Sequence, residues 1–424
     1  MLDTNKKNYY WKLISDLRGY VPFYGFTGAM IQIMFIKYLC TFEDDFLLAD
    51  DLKVLMKLQR MLMANEVDFD TIAEAYHMMD KMYCSGNGVL VNALDSLRRI
   101  FNNEKRLLIS VINMVEIPSD KEELKDLILF VISSGENGDI SRTGESTTNT
   151  SLIKLVNSIL NVNIEDIFMD CFCGLNKTAL NVNAKEYYGY EINAETSAIS
   201  LISMIMAGKR NFRVDNNDYY FINHKSFANK VFSDGPINLI MREEIVDKYR
   251  FGRKSDIYNI LLPLQDLSDD GIAAITTPSG CLSSNQKTYI EFRKKIIEDL
   301  KAVISLPPLW LGTSINTNLL IFDRKNKSDK VVFIDATNTG TLVKQTRQYA
   351  LNDEEILKIT NAINGEEIEE FSCRISKEEL LNNEVILQPN RFLKKKIQRE
   401  YRNVSDIDND LRKLYTELNE LINK

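Results

Sequence analysis

Histidine is almost missing from this sequence: His77 and His224 are the only two in 424 residues. A histidine-based metal centre or a Ser-His-Asp triad therefore has little to be built from. Cysteine is scarce too. Of the six, only Cys171 and Cys173 stand close together, with one residue between them and no second pair at zinc-type spacing. No metal is expected, and such thiols fit a reducing cytoplasm. No apolar run approaches the roughly eighteen residues that a membrane-spanning helix needs. The opening MLDTNKKNYYWK lacks the apolar stretch of a secretory signal, so no membrane is expected as a partner. A basic excess is absent as well, since 52 Lys and Arg against 60 Asp and Glu leave a net charge of −8. A free-standing DNA binder usually carries a broad basic face. That class is disfavoured, whereas a subunit touching DNA locally beside a partner that supplies most phosphate contacts is not. The short clusters Lys209-Arg210, Arg293-Lys294-Lys295 and Lys394-Lys395-Lys396 read first as solvated helix faces.

What is present is ordinary globular material, 45% hydrophobic and 26% charged, enough for two or three domains with normal cores. Residues 1–140 read as mainly helical, with apolar residues at helical spacing over Trp11–Leu17, Met30–Leu39 and Leu124–Ile132. Ser133–Asn149 is rich in Gly, Ser, Thr and Asn and reads as a linker. Strands and helices then alternate. Strands are expected over Asp166–Phe172, Glu186–Ile192, Ile237–Met241, Gly271–Thr277, Ala302–Leu306, Leu319–Phe322 and Val331–Ile334. Helices are expected over Leu152–Leu160, Ala194–Ala207, Ile257–Leu267 and Tyr289–Leu300. This alternation implies a mostly parallel sheet covered on both faces. The chain becomes charged and helical after about residue 350, and residues 393–424 suit an amphipathic or coiled-coil helix through Leu411, Leu414, Leu418 and Ile422. The division expected is 1–140, 141–345 and 346–424.

Ligands of such sheets bind beyond the carboxyl ends of the strands. In FMDCFCGLNKT an apolar strand runs into Asp170 and a glycine turn, with Phe172 and Gly174 in it. Glu191, in YYGYEIN, ends the next strand, where an acid can accept both ribose hydroxyls of an adenosine cofactor. FRVDNNDYYF offers Asp218, or Asp215, to an adenine amino group at a third strand end. Each feature is weak alone; the ordered series points to an adenosine-type site.

These residues carry a resemblance. D-x-F-C-G followed by G-Y-E-I-N-x-E-T resembles the first two motifs of the gamma-type N6-adenine DNA methyltransferases, above all the type I restriction-modification modification subunit. The likeness extends to YYWKLISDLRGYVPFYGFTGAMIQIMFIKYL, to YRFGRKSDIYNILLPLQDLSDDGIAAITTPSGCL, to SLPPLWLGTSINTNLLIFDR and to LQPNRF, in the family's order. It implies a Rossmann-like methyltransferase fold, α/β with a mostly parallel seven-stranded sheet, an N-terminal helical domain and a C-terminal helical tail. It also implies S-adenosylmethionine as cofactor, with Gly144, Thr148, Asp170, Phe172, Gly174, Glu191, Ile192 and Asp218 around it. Implied partners are double-stranded DNA within a complex and a specificity subunit or an active methyltransferase paralogue.

The family flips its target adenine into a pocket and grips it with an Asn/Asp-Pro-Pro-aromatic tetrapeptide. The acid or amide oxygen and a proline carbonyl accept the N6 hydrogens, and the ring stacks on the base. After the strand expected at Ile237–Met241 stand Arg242, Glu243, Glu244 and Ile245, with no proline pair and no ring. Asn176 replaces a small residue of the glycine turn and would bring a side chain towards the ligand. The upstream loop, Gly144-Glu145-Ser146-Thr147-Thr148-Asn149, lacks the family's aromatic and proline. Weakened cofactor binding and lost catalysis are therefore expected. Trp310 reads as packing rather than base stacking. The sequence thus predicts a catalytically degenerate subunit of a restriction-modification or phage-defence complex that holds DNA or a partner. Two alternatives remain: an active adenine methyltransferase with a divergent loop, and a sensor of S-adenosylmethionine or a related nucleotide.

Overall fold

A computed structural model describes residues 3–17, 25–43, 47–84, 86–136, 148–310, 315–343, 348–393 and 404–422. The chain begins with helices α1 (Thr4–Leu17), α2 (Phe26–Leu39), α3 (Ala49–Met63), α4 (Phe69–Tyr83), α5 (Val91–Phe101), α6 (Lys105–Met114) and α7 (Lys121–Glu136). α2 is apolar on nearly every side and buried accordingly from Gly28 to Ile36. α7 carries the helix through Ser133–Glu136, the first residues of the expected linker; residues 137–147 lie outside the described residues, and Gly144 with them.

Alternation begins with α8 (Thr150–Leu160). Next come β1 (Ile167–Asp170), α9 (Lys177–Leu180), β2 (Glu186–Tyr190), α10 (Ala194–Met206), β3 (Phe212–Asp215) and β4 (Ala228–Ser233). They are followed by α11 (Glu243–Tyr249), α12 (Ser255–Asp266), β5 (Leu267–Pro278), α13 (Ser279–Ser283) and α14 (Lys287–Ile296). β6 (Leu300–Ser305), β7 (Thr317–Asp323), β8 (Lys330–Asp335) and the hairpin β9 (Thr341–Val343) and β10 (Gln348–Ala350) lead to α15 (Asp353–Asn364), β11 (Ser372–Ser376), α16 (Lys377–Asn382) and α17 (Val404–Ile422).

The sheet order is β11-β8-β6-β7-β5-β4-β1-β2-β3. β1 to β5 run parallel, and β7 is antiparallel to both β5 and β6. Seven strands were expected. The sheet has nine, because its two edge strands, β3 and β11, were not among them, and β11 comes from beyond residue 345. The order reverses between β1 and β4, so a crevice opens beyond their carboxyl ends. The helical region docks on the layer covering this sheet: a Cβ on Gly28 of α2 would lie 2.6 Å from Ile199 Cδ1 of α10, so a side chain there would have to push the Ile199 tip aside.

Two expectations fail. Ile237–Met241 is not a sheet strand; its only pairing is the isolated bridge Ile240–Lys254, and Leu239 and Ile240 are exposed. The strand between β1 and β5 is β4, masked in the sequence by Asn229 and Lys230. Structure satisfies both: Asn229 binds the Ile167 amide at 2.8 Å and the Asp166 carboxylate at 2.7 Å, and Lys230 Nζ reaches the Leu160 carbonyl at 2.5 Å. Arg293 is not on a solvated face. It is fully buried and donates to four backbone carbonyls, those of Cys281, Ser284, Glu384 and Val385. No helix among the described residues is long and apolar enough to cross a membrane.

Candidate functional site

β1 delivers Asp170 to the floor of the crevice, and the chain then turns through two left-handed residues, Gly174 (φ 49°) and Asn176 (φ 59°). Nothing lies within 4 Å of a Cβ built on Gly174, so the turn leaves room above it. Asn176 accepts the left-handed backbone, as asparagine can. Its side chain, however, does not enter the crevice. It is buried against α10, with Nδ2 3.4 Å from Ser200 Oγ, and against Gly189 of β2. The steric obstacle expected from Asn176 is therefore absent.

Asp170 is buried, and its pKa rises to about 7. Burial is the main cause, and the neighbouring charges of Asp234 and Glu191 add to it, against the stabilising Phe172 amide and Thr178 hydroxyl. The unfolded chain releases this proton near the ordinary aspartate value, and the folded chain keeps it to about 7. Between those values the folded state binds more protons, so stability falls as pH rises from about 4 to 7. Asp170→Asn removes the titration. Urea unfolding of the variant should show a flatter pH slope over that range, and an unchanged slope would acquit Asp170.

Glu191 follows β2. Its carboxylate accepts the Asn193 amide at 2.7 Å, and Asn193 in turn caps α10 by accepting the Glu195 and Thr196 amides, both at 3.0 Å. Ile192 beside it is largely exposed. Asp218 caps the short turn Tyr219–Phe221 through the Tyr220 amide. With Tyr190, Asp215, Asn217, Phe221 and Arg242 it lines a cleft of about 510 Å³ beyond β2 and β3. Phe172 packs against Tyr219 and Tyr220, with ring centroids at 5.1 and 5.5 Å.

The position directly after β4 is Asp234-Gly235-Pro236-Ile237. Arg242 instead stands just before α11, without a side-chain capping bond, and Glu243, Glu244 and Ile245 form its first turn, so the degenerate motif expected there is displaced by eight residues. Asp234 gathers three donors. Thr276 Oγ1 at 2.6 Å and Trp310 Nε1 at 3.1 Å donate to Oδ1, and Thr148 Oγ1 at 2.9 Å donates to Oδ2. Lys177 Nζ holds the Thr148 carbonyl at 2.9 Å. A side chain at 235 is forbidden, since its Cβ would lie 2.7 Å from both Phe172 and Asn259. The Pro236 carbonyl is clamped by Ser255 Oγ at 2.6 Å and Asn259 Nδ2 at 2.9 Å, and Tyr220 OH donates to Asn259 Oδ1 at 2.6 Å. Hydrogen bonds thus hold this elbow still where a second proline ring would have no space. Sequence reading missed Asp234, Ser255 and Asn259; the signal was S-D-G-P after the short apolar pair Val231-Phe232. Below the site, His224 Nδ1 and Tyr219 OH meet the buried Asp266 carboxylate at 2.9 and 2.7 Å. Among the described residues no serine joins this pair, and none form a cluster of three potential metal ligands.

The N-6 DNA Methylase family profile matches residues 126–401, well over half the chain. The chain belongs to the N-6 DNA methylase family. Solved structures share the N-6 DNA methylase fold along almost the whole length. The type I restriction-modification methyltransferase subunit from Streptococcus thermophilus superposes with a TM-score of 0.71 at 18% identity, covering 93% of this chain and 100% of that one. A chain from a structure of type I restriction-modification complex assembly gives 0.65 at 14% identity, covering 99% and 96%. A modification subunit assigned to a type I restriction enzyme of Vibrio vulnificus gives 0.61 at 14% identity, covering 88% and 93%. The N-6 DNA methylase match spans α7 to the end of the described sheet, and so takes in Asp170, Glu191 and Asp234 alike.

Proposed function

We propose that the chain is the methyltransferase-type subunit of a type I modification or defence complex, that it keeps an S-adenosylmethionine crevice, and that it transfers methyl groups poorly or not at all by itself. The observation carrying this reading is the pair Asp234 and Ile237. The acceptor after β4 is already engaged by Thr148, Thr276 and Trp310, and an aliphatic chain stands where an extruded adenine would need a ring. The residues fit the cofactor: the open turn at Gly174 leaves room, and the Glu191 carboxylate at the β2 end suits a ribose diol. When bound, the cofactor supplies an electrophilic methyl. This chain's residues bind and orient: Glu191 and Asp218 hold the nucleoside, and Ser255 and Asn259 keep the 234–237 elbow rigid. With the Asn176 side chain turned away, cofactor weakening comes from residues 144–147 rather than from the turn.

In this reading residues 1–140 are a helical docking region and 141–345 the donor-binding unit, whose sheet β11 extends, and the partner-facing part of 346–424 is α17. α17 supports a partner: Leu411, Leu414, Leu418 and Leu421 form an exposed apolar stripe along it, the pattern of a coiled-coil seam awaiting a second helix. The complex would act in the cytoplasm.

The test is transfer from labelled S-adenosylmethionine to duplex DNA by the full chain, alone and with its co-purified partner, alongside calorimetry of cofactor binding. Cofactor heat lost in Glu191→Ala, with no label transferred by the chain alone, is the expected pair of results. Absence of cofactor heat in the wild type would remove the donor site from the proposal. A second reading, an active adenine methyltransferase, is favoured by one observation: Asp234 and Pro236 retain an acceptor and a proline after β4. Label transfer abolished by Asp234→Ala but kept by Asp234→Asn, whose amide oxygen still accepts, would establish it and end the first.

A further inference from the structure

Residues 237–254 leave the elbow and return to α12 as a fastened flap. The Met241 amide donates to the Arg253 carbonyl at 2.8 Å, and the Ser255 amide to the Leu239 carbonyl at 2.9 Å. Its tip is anchored: Tyr258 OH donates to the Gly252 carbonyl at 2.6 Å, Phe251 packs edge-on to Phe292, and Tyr249 packs on Tyr258. Against this firm hold, Leu239 is 46% exposed and Ile240 68% exposed. Two aliphatic side chains on a rigid loop, three and four residues beyond Pro236, gain nothing in water.

Their surroundings are cationic in a chain of net charge −8. Arg242, Lys248, Arg250, Arg253 and Lys254 are all exposed, against Glu243, Glu244 and Asp247. Arg253 neutralises Glu243 at 2.5 Å. Arg242 lies over the Phe221 ring at 4.7 Å, on the rim of the cleft beyond β2 and β3, and Lys254 Nζ binds Asn238 Oδ1 at 2.9 Å. Local positive charge flanking an exposed aliphatic pair beside the base-receiving elbow complements a duplex: phosphates for the cations, and the base stack for the pair.

We propose that this flap is a double-stranded DNA contact in which Leu239 and Ile240 enter the base stack next to the extruded nucleotide while Arg250 and Lys254 meet phosphates. The proposal rests on the DNA methyltransferase reading of the same site and adds the residues that would keep the duplex open. Extruding a base costs the stacking it loses, and an aliphatic wedge filling the gap offsets part of that cost.

Fluorescence anisotropy of the full chain together with its co-purified partner, on two labelled duplexes, tests it, one intact and one with a single abasic gap. A wedge favours the gapped duplex, where no base need be unstacked, by about tenfold. Leu239→Ala with Ile240→Ala should bring that ratio to about one and leave intact-duplex affinity within about twofold. Arg250→Gln with Lys254→Gln should weaken both duplexes equally and lower the salt slope by about two. A gap preference that survives the alanine pair overturns the proposal, as does wild-type protein that binds neither duplex at low salt. Loss of a co-purifying protein in the alanine pair, with DNA binding unchanged, would make the flap a protein contact instead. Cofactor heat lost in Glu191→Ala is independent of all these outcomes, so failure of the wedge and failure of the donor site are separately visible.

Discussion

Arg293→Ala is expected to lower the free energy of unfolding by about 3–5 kcal/mol, measured by urea denaturation at neutral pH. The guanidinium is fully buried, and each arm meets a backbone carbonyl. Nε reaches Val385 at 2.6 Å, Nη1 Cys281 at 3.2 Å, and Nη2 both Ser284 and Glu384, at 2.9 and 3.3 Å. One side chain therefore ties the ends of α13 and α14 to the segment that leads into the tail. That segment needs tying, because Glu384 and Val385 both have left-handed backbones, φ 57° and 52°. A β-branched residue rarely adopts that conformation. Truncation would leave four carbonyls without partners and a cavity among them. Lysine, with its single ammonium, cannot reproduce the fork and should recover only a minor part. An alanine variant within about 0.5 kcal/mol of the parent would mean that water reaches these carbonyls.

Asp234→Ala should cost about 2–4 kcal/mol by the same measurement, since three donors converge on one carboxylate and hydrogen bonds to charged groups carry more than neutral ones. The substitution has a second, more specific signature. Asp234 is one of the charges that raise the pKa of Asp170, so its removal lets Asp170 ionise at lower pH. The decline of stability with rising pH should still begin near the ordinary aspartate value in Asp234→Ala, but end at a lower pH and be smaller than in the parent. Asp234→Asn retains the size and one acceptor, and should show the same pH change with a smaller loss of stability. If the pH profile of both variants matches the parent, the two carboxylates are not coupled as their positions imply. Thermal melts of Thr276→Val, which removes the shortest donor, should fall between the parent and Asp234→Ala.

Much of the fold was legible because period and spacing survive in any context. The helices at Met30–Leu39 and Ala194–Ala207 and the strands at Glu186–Ile192, Leu319–Phe322 and Val331–Ile334 appear within a residue or a few of their expected positions. The amphipathic tail appears as α17. What misled was local hydrophobicity. Ile237-Asn238-Leu239-Ile240-Met241 looks more like a strand than Ala228-Asn229-Lys230-Val231-Phe232-Ser233, yet the second is in the sheet. The register of the elbow after the strand was lost with it. Asn229 and Lys230 are tolerated at β4 only because Asp166, Ile167 and Leu160 supply partners from elsewhere in the chain. No window of sequence contains those partners. Arg293 was misread for the same reason: a cation in a basic triplet looks solvated until four distant carbonyls are found around it.

The amino-acid sequence by itself determined the family, the alternation of strands and helices, the acids at the ends of β1 and β2 and the absence of the Pro-Pro-aromatic grip. These are matters of residue identity and order, and short-range periodicity expresses them directly. Tertiary structure alone decided which acid follows the fourth strand, which way Asn176 turns, why position 235 must be glycine and that Leu239 and Ile240 stand in solvent. Each of those depends on atoms brought close from remote parts of the chain, where burial and hydrogen-bond partners, rather than residue type, set the outcome.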